Sequence, residues 1–348
     1  MNVIDLFSGV GGLSLGFEQN GFKVLFANEI DENISYSYKK NFPKTECLSK
    51  DILQIDLKKE FSRFEKKISV IIGGPPCQGL SQKGKRKWFS DDRNFLFKNF
   101  LQVVEIVKPE FVLIENVPNI ITANNGYFLK EIKSIFNKID YQITSKILHA
   151  NRFGVPQKRR RAFVLARKKH INFELPEQNN LKTTFIESTN DLPELKSGEG
   201  KEFTQYNKEP ENSYQKEMRK NSKGVWNHIS TKHSKIALER MKFMKIGGVR
   251  TDLPEEHLTK SIFSGTWSRI NPNSFVRTIT TRFDTPSSGQ FTLPNQDRCL
   301  TVREAARVQS FPDNFIFYGK RTNQMIQVGN AVPPMMAHSI ASLIKKNL

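Results

Sequence analysis

The chain is 348 residues long, with 54 Lys and Arg against 35 Asp and Glu and a formal charge of +19. That length supports two domains more readily than one, and the basic excess points to a polyanionic partner, nucleic acid rather than a membrane surface, because the cations are not lined along one amphipathic helix. Cys47, Cys77 and Cys299 lie too far apart for a disulfide framework or a zinc site, and neither a leader-like opening nor a run near the roughly 18 apolar residues of a membrane span is present, so the expectation is a reduced, soluble, cytoplasmic protein without metal.

Short β-type runs alternate with helical patterns through the first 170 or so residues. "DLFSGVGGLSLGF" (5–17) is a strand running into a glycine turn that opens a helix, a form that lets backbone approach a nucleotide-like ligand. The G-x-G-x-x-G fingerprint is not met, because Ser14 stands where the third glycine belongs, and this disfavours a dehydrogenase. "FKVLFANE" then ends on Glu29, 20 residues after Gly9, where a carboxylate can accept from both hydroxyls of a ribose or simply stand solvated at a strand end. Adenosine without a pyrophosphate fits this pattern. Asp51 in "SKDI" could accept from an adenine amino group, with Ile52 against the ring, or merely cap a turn.

"SVIIGG" (69–74) leads into "PPCQGLSQKGKRK" (75–87), whose prolines put Cys77 on a stiff turn. A free thiol there is either a nucleophile or a small buried hydrophobe. After a helical pattern at 94–107, "FVLIEN" (111–116) places Glu115 at the same sheet edge as Gly9, Glu29 and Cys77, the carboxyl ends of strands where open α/β folds bind ligands. Partial desolvation there favours a protonated carboxyl able to donate to a ring nitrogen; the plainer alternative is a cap or loop contact. A further helical pattern covers 126–139. In "QKRRRAFVLA" (157–166), spacing by two puts Arg159 and Arg161 on one face of a strand, suited to a phosphate or a base carbonyl, with Arg160 on a generic basic surface.

From about 172 the pattern dissolves into Asn, Lys, Ser, Thr and Glu, yet Trp226, Trp267 and "FVRTITTRF" (275–283) argue for a folded second domain rather than disorder. Order returns with helical patterns in "TVREAARVQSF" (301–311) and, after a proline pair, "PPMMAHSIASLIKKN" (333–347). The fold class expected is α/β: a doubly wound, mostly parallel sheet with a smaller, irregular domain.

In this order, "DLFSGVGGLSLGF", "NEI", "KDI", "GGPPCQGLS", "ENV", "QKRRR", "LTVREAARVQSFPDNF" and "QVGNAVPP" resemble the motifs of bacterial DNA (cytosine-5)-methyltransferases, leaving about 172–290 unmatched. The resemblance implies S-adenosyl-L-methionine as cofactor, bound by Phe7, Gly9, Leu13, Glu29, Ile30, Asp51, Ile52, Pro76, Leu96, Asn330 and Val332. It implies Cys77 as the nucleophile that adds to carbon 6 of a cytosine flipped out of double-stranded DNA, with Glu115 at N3 and the exocyclic amine. Arg161 would meet the base carbonyl with Arg159 nearby, and "SQKGKRKWFSDDRN" (81–94) would close over the DNA.

The expected division is a catalytic and cofactor-binding domain over 1–189, a target-recognition domain over 190–321, and a segment 322–348 returning to the first. The expected state is a monomer, with a cognate restriction endonuclease acting on the same site without stable association. A tRNA cytosine-5 methyltransferase shares these motifs but carries a shorter, differently marked insert. A non-catalytic DNA-binding regulator on the same fold would need neither Cys77 nor Glu115.

Overall fold

Runs of apolar and β-branched residues form the strands of a seven-stranded sheet in the computed structural model, which describes residues 1–76, 95–168, 174–176, 181–260 and 265–348. The chain divides into two units, Met1–His149 with Arg160–Asn179 and Pro334–Leu348, and Ala150–Arg159 with Asn180–Pro333.

In the first unit the elements run β1 (Asn2–Leu6), α1 (Gly12–Glu18), β2 (Lys23–Glu29), α2 (Glu32–Asn41), β3 (Glu46–Ser49), α3 (Leu57–Phe61), β4 (Val70–Gly73), α4 (Phe95–Val107), β5 (Phe111–Asn116), α5 (Asn119–Thr122), α6 (Tyr127–Lys138) and β6 (Tyr141–His149). After a two-residue β7 (Gln157–Lys158) in the second unit, β8 (Arg160–Lys168) returns to the first. The sheet order is β3-β2-β1-β4-β5-β8-β6. The first five strands in that order pair in parallel, and β8 pairs antiparallel with both β5 and β6. The expected doubly wound, mostly parallel sheet is therefore what forms.

Register decides which residues meet at the edge. Leu6 lies opposite Asn28 and Gly73, Glu29 opposite Ser49, and Gly73 opposite Ile114, so β1, β2, β4 and β5 all end at one edge. Because β8 runs the other way, its beginning reaches the same edge, with Ala162 opposite Asn116. Strands buried on both faces read as continuous apolar runs, as "VIIG" and "FVLI" do. Phe26, Ile71, Phe97, Phe100, Val112 and Ile132 form part of the core.

Local chemistry starts the helices. Asp31 accepts from the amides of Asn33 and Ile34 at the head of α2, which carries Glu32 in its first turn and Lys39 and Lys40 in its last, matching the helix dipole. The sheet unit is completed by the C-terminal helix α12 (Pro334–Lys346), whose Met336, Ala337, Ile340, Ala341 and Ile344 are buried. A Cβ on Gly16 of α1 would stand 2.5 Å from the Ala337 Cβ and 2.7 Å from the Pro334 carbonyl oxygen, so only glycine allows this approach.

The second unit holds α7 (Phe185–Thr189), β9 (Gly200–Thr204), α8 (Ser213–Arg219), β10 (Val225–Ile229), α9 (Lys235–Phe243), β11 (Val276–Arg277), α10 (Val302–Val308) and α11 (Arg321–Asn330), which precedes α12. β9 pairs antiparallel with β10, and β7 pairs in parallel with β11. Its centre is unusually polar. Arg298 makes a fork to Glu304 with both bonds at 2.8 Å, and Arg307 reaches Asp313 and Asp191. Arg303 donates to the carbonyls of Trp226, Pro312 and Phe315. Burial alone would raise the Glu304 carboxyl, but Arg298 outweighs it and brings the group down to about 2. The stretch "LTVREAARVQSFPDNF" thus supplies the unit's internal scaffold.

Candidate active site

The glycine turn follows β1 directly. Phe7 has φ 56°, Gly9 φ 55° and Gly11 φ 97°, and a Cβ on Gly11 would lie 2.4 Å from the Phe42 ring. The Gly9 amide donates to Glu29 Oε2 at 3.0 Å and the Asp31 amide to Oε1 at 2.9 Å, so the carboxylate is aimed across the turn. Burial pushes the Glu29 carboxyl above its ordinary value, against those two amides.

The other expected cofactor residues of the first unit take varied positions. Leu13 and Ile52 are buried, Leu96 packs against the core, and Ile30 is 62% exposed. Asp51 caps the 3-10 turn Ile52–Gln54, accepting from the Leu53 amide at 3.0 Å.

The chain then leaves β4 through Gly74, Pro75 and Pro76. A Cβ on Gly74 would stand 3.2 Å from Glu115 Oε2, and Asn116 Nδ2 donates to the Pro75 carbonyl at 2.9 Å. Cys77 and the proposed closing segment 81–94 lie outside the described residues. The described chain nonetheless carries the approach to Cys77 as far as its preceding residue, Pro76, beside Glu115 and Asn116. Asn116, not among the residues expected at the site, ties the end of β5 to the backbone leaving β4; its place in "ENV" was the available signal.

Glu115, at the end of β5, pairs with Arg161 near the start of β8, Oε1 to Nε at 2.8 Å, with side chains only 12% and 17% exposed. The antiparallel return of β8 produces this pair: both residues sit at the edge where β5 ends. Arg160 is exposed, as expected.

Arg159 departs from the expectation that it shares a strand face with Arg161. β8 begins at Arg160, and Arg159 lies in the gap after β7, whose pairing with β11 draws the chain into the second unit. There Arg159 is 1% exposed and donates to the Ile279 carbonyl at 3.1 Å. Asn330 and Val332 also belong to the second unit, the first exposed at the end of α11 and the second buried.

Burial pushes the other two thiols up, Cys47 to about 11 and Cys299 to about 12, which keeps both protonated and poorly nucleophilic. Behind the turn, Asp5 Oδ2 accepts from Ser14 Oγ at 2.7 Å, and that oxygen lies 2.7 Å from Tyr38 Oη. Among the described residues no cluster of His, Cys, Asp and Glu could hold a metal, and no helix is long and apolar enough to cross a membrane.

The family of C-5 cytosine-specific DNA methylases matches residues 1–346. The chain is 37% identical to the Type II methyltransferase M1.HphI of Haemophilus parahaemolyticus, over 99% of this chain and 87% of that protein. It is 36% identical to the Type II methyltransferase M.DdeI of Desulfomicrobium norvegicum, over 99% and 88%. The fold is similar to a protein described as a DNA modification methyltransferase encoded within an E. coli prophage, at TM-score 0.80 and 29% identity over 99% of both chains. The S. pombe Dnmt2 methyltransferase shares the fold at TM-score 0.61 and 19% identity, over 100% of this chain and 99% of that one. The matched family and the sheet edge it accounts for lead to one conclusion: the chain belongs to the C-5 cytosine-specific DNA methylases and is a DNA (cytosine-5)-methyltransferase.

Proposed function

We propose that the protein moves a methyl group from S-adenosylmethionine to carbon 5 of a cytosine flipped out of a specific double-stranded DNA site, through a covalent bond between Cys77 and carbon 6. The observation that carries this reading is the Glu115–Arg161 pair, 2.8 Å apart at the sheet edge, beside the backbone that leads into Cys77. The cofactor fits the turn on two counts: a Cβ on Gly9 would meet nothing within 4 Å, so the backbone there is open to a ligand, and Glu29 is held beside it with one oxygen on the Gly9 amide and the other on the Asp31 amide. Phe7, Gly9 and Leu13 would hold the methionine end, Glu29 and Ile30 the ribose, and Asp51 and Ile52 the adenine. Pro76 and Leu96 would complete the site in the first unit, and the family resemblance adds Asn330 and Val332 to the cofactor-binding residues. When bound, the cofactor supplies an electrophilic methyl group.

Cys77 adds as a thiolate to carbon 6. Glu115 holds the proton that ring nitrogen N3 needs as charge moves into the ring, and Arg161 grips the base carbonyl while fixing the Glu115 carboxyl. Carbon 5 then takes the methyl group, its proton leaves to a base, and elimination frees the Cys77 sulfur. Arg159 is the fourth residue assigned to the reaction, on the family resemblance. The relatives' names support a restriction-modification role; a cognate endonuclease acting on the same site without stable association, and a cytoplasmic monomer, complete the reading. Residues 190–321 are the target-recognition domain in this reading.

The target is first found by methylating a random duplex library and reading it by bisulfite sequencing. A duplex carrying 5-fluorocytosine at that site should then trap a stable complex whose modified peptide contains Cys77, because fluorine cannot leave as a proton does. A trapped peptide bearing Cys47 or Cys299, or methylation of tRNA in place of duplex DNA, would overturn the assignment.

A further inference from the structure

Asp5 is the one carboxylic acid at full burial in the sheet of the first unit, at 0% exposure in the middle of β1. Its neighbours along the sheet, Ala27 and Ile72, are apolar. Oδ2 takes the Ser14 hydroxyl from α1, and Oδ1 has no hydrogen-bond partner. A buried carboxylate normally recruits a cation or several amides, and this one has a single hydroxyl. Glu29 on β2 acts on it, and it acts in turn on Tyr38 on α2 and Cys47 on β3; Glu18 on α1 joins the group through Tyr38, so all its members are acids. Two cations, Lys39 and Lys44, act only on members of that group, Cys47 and Glu18. No cation stands among the groups that act on Asp5.

Ser14 follows Leu13 in the first turn of α1, so the Asp5 hydrogen bond reaches the residue next to one assigned to the methionine end of the cofactor. That end carries the sulfonium. We propose that Asp5 is the charge-selecting residue of the cofactor site: as a carboxylate it favours the cationic sulfonium over the neutral thioether left after methyl transfer. This inference rests on the reading that S-adenosylmethionine is the donor. The electron balance is simple. The sulfur–carbon bonding pair returns to sulfur as the methyl group leaves, the sulfur loses its positive charge, and Asp5 takes a proton from solvent in its place.

The carboxyl is suited to that exchange, because burial pushes it up to about 7, with the Ser14 hydroxyl opposing and the charge of Glu29 adding. The sign follows. Below about pH 7 the empty site holds Asp5 protonated, so the sulfonium must displace a proton and binds more weakly; above it the carboxylate is already present. Affinity for the sulfonium should therefore rise with pH through 7, and affinity for the thioether should not follow it. Glu29 makes the same ribose contacts with both ligands and cancels from their ratio.

The test is calorimetric titration of the full chain with S-adenosylmethionine and with S-adenosylhomocysteine at pH 6, 7 and 8, in buffers of different ionisation enthalpy. The expected result is a ratio of affinities that shifts toward the sulfonium by about tenfold between pH 6 and 8, with proton release on sulfonium binding. Asp5→Asn should flatten that dependence and lower the ratio at pH 8. Ser14→Ala withdraws the hydroxyl that steadies the carboxylate, so it should move the midpoint upward and keep the dependence; this variant decides the matter if Asp5→Asn does not fold. A wild-type ratio independent of pH, or an Asp5→Asn ratio equal to wild type, overturns the inference while leaving the donor assignment intact. If wild-type protein binds neither ligand, the donor assignment falls and takes this inference with it.

Discussion

Glu115 and Arg161 show how much of this site depends on single side chains. Their pair is nearly closed to solvent, so removing either side chain leaves the other buried without its partner. Glu115→Gln keeps the shape and should leave cofactor affinity within about twofold, while slowing single-turnover methylation by about 10²-fold or more, since the ring loses its proton donor. A rate within threefold of wild type would remove Glu115 from the chemistry. Both residues, like Glu29, were legible in the sequence because each sits near a strand end, where position along the chain fixes position in space. Arg159 was not. Spacing by two implies a shared face only along an unbroken strand, and the chain breaks between Arg159 and Arg160 to pair β7 with β11. The polar side chains of 268–289 pose a similar problem: they suit base reading by type, yet Arg269 is engaged by the carbonyls of Met241, Met244, Leu293 and Gln296, and Thr278 by that of Lys158.

Among the elements, the packing of α1 against α12 governs the site most directly, because α1 opens with the glycine turn. Gly16→Val would drive its branched side chain into the Pro334 carbonyl and Ala337. The cost should be about 1–3 kcal/mol, seen as a melting temperature lowered by several degrees, with weaker cofactor binding and unchanged side chains at the sheet edge. Wild-type stability and affinity in this variant would show that the contact yields freely. Sequence pattern found both helices, since a proline pair announces α12 and a glycine turn announces α1. It passed over β6, whose Tyr141, Ile143 and Ile147 do alternate, and the short helices α7, α8 and α9. Those helices are declared by Thr184, Asn212 and Ser234 at their caps more than by any apolar stripe.

At the scale of the molecule, composition changes near 172, and the expected boundaries were drawn at 189/190 and 321/322; the units observed meet at 179/180 and 333/334, with Ala150–Arg159 also in the second. No composition shift marks that short excursion, since it is defined by pairing with β11 more than 100 residues later. If base reading is confined to the stretch 190–290, grafting it from a relative with a different, known target should transfer that target while cofactor affinity stays within error of the parent's. A folded, active chimaera that kept the parent's site would relocate recognition to the sheet unit. The contact of α1 with α12 also has a bearing on synthesis. α12 leaves the ribosome about 316 residues after α1 ends, roughly 15–60 s later at ordinary elongation rates. Throughout that interval the helix that shapes the cofactor turn lacks the partner that packs against Gly16. A nascent chain should therefore remain unable to bind cofactor until residues 334–346 emerge, and a message cut short anywhere before them would yield a product that cannot methylate at all.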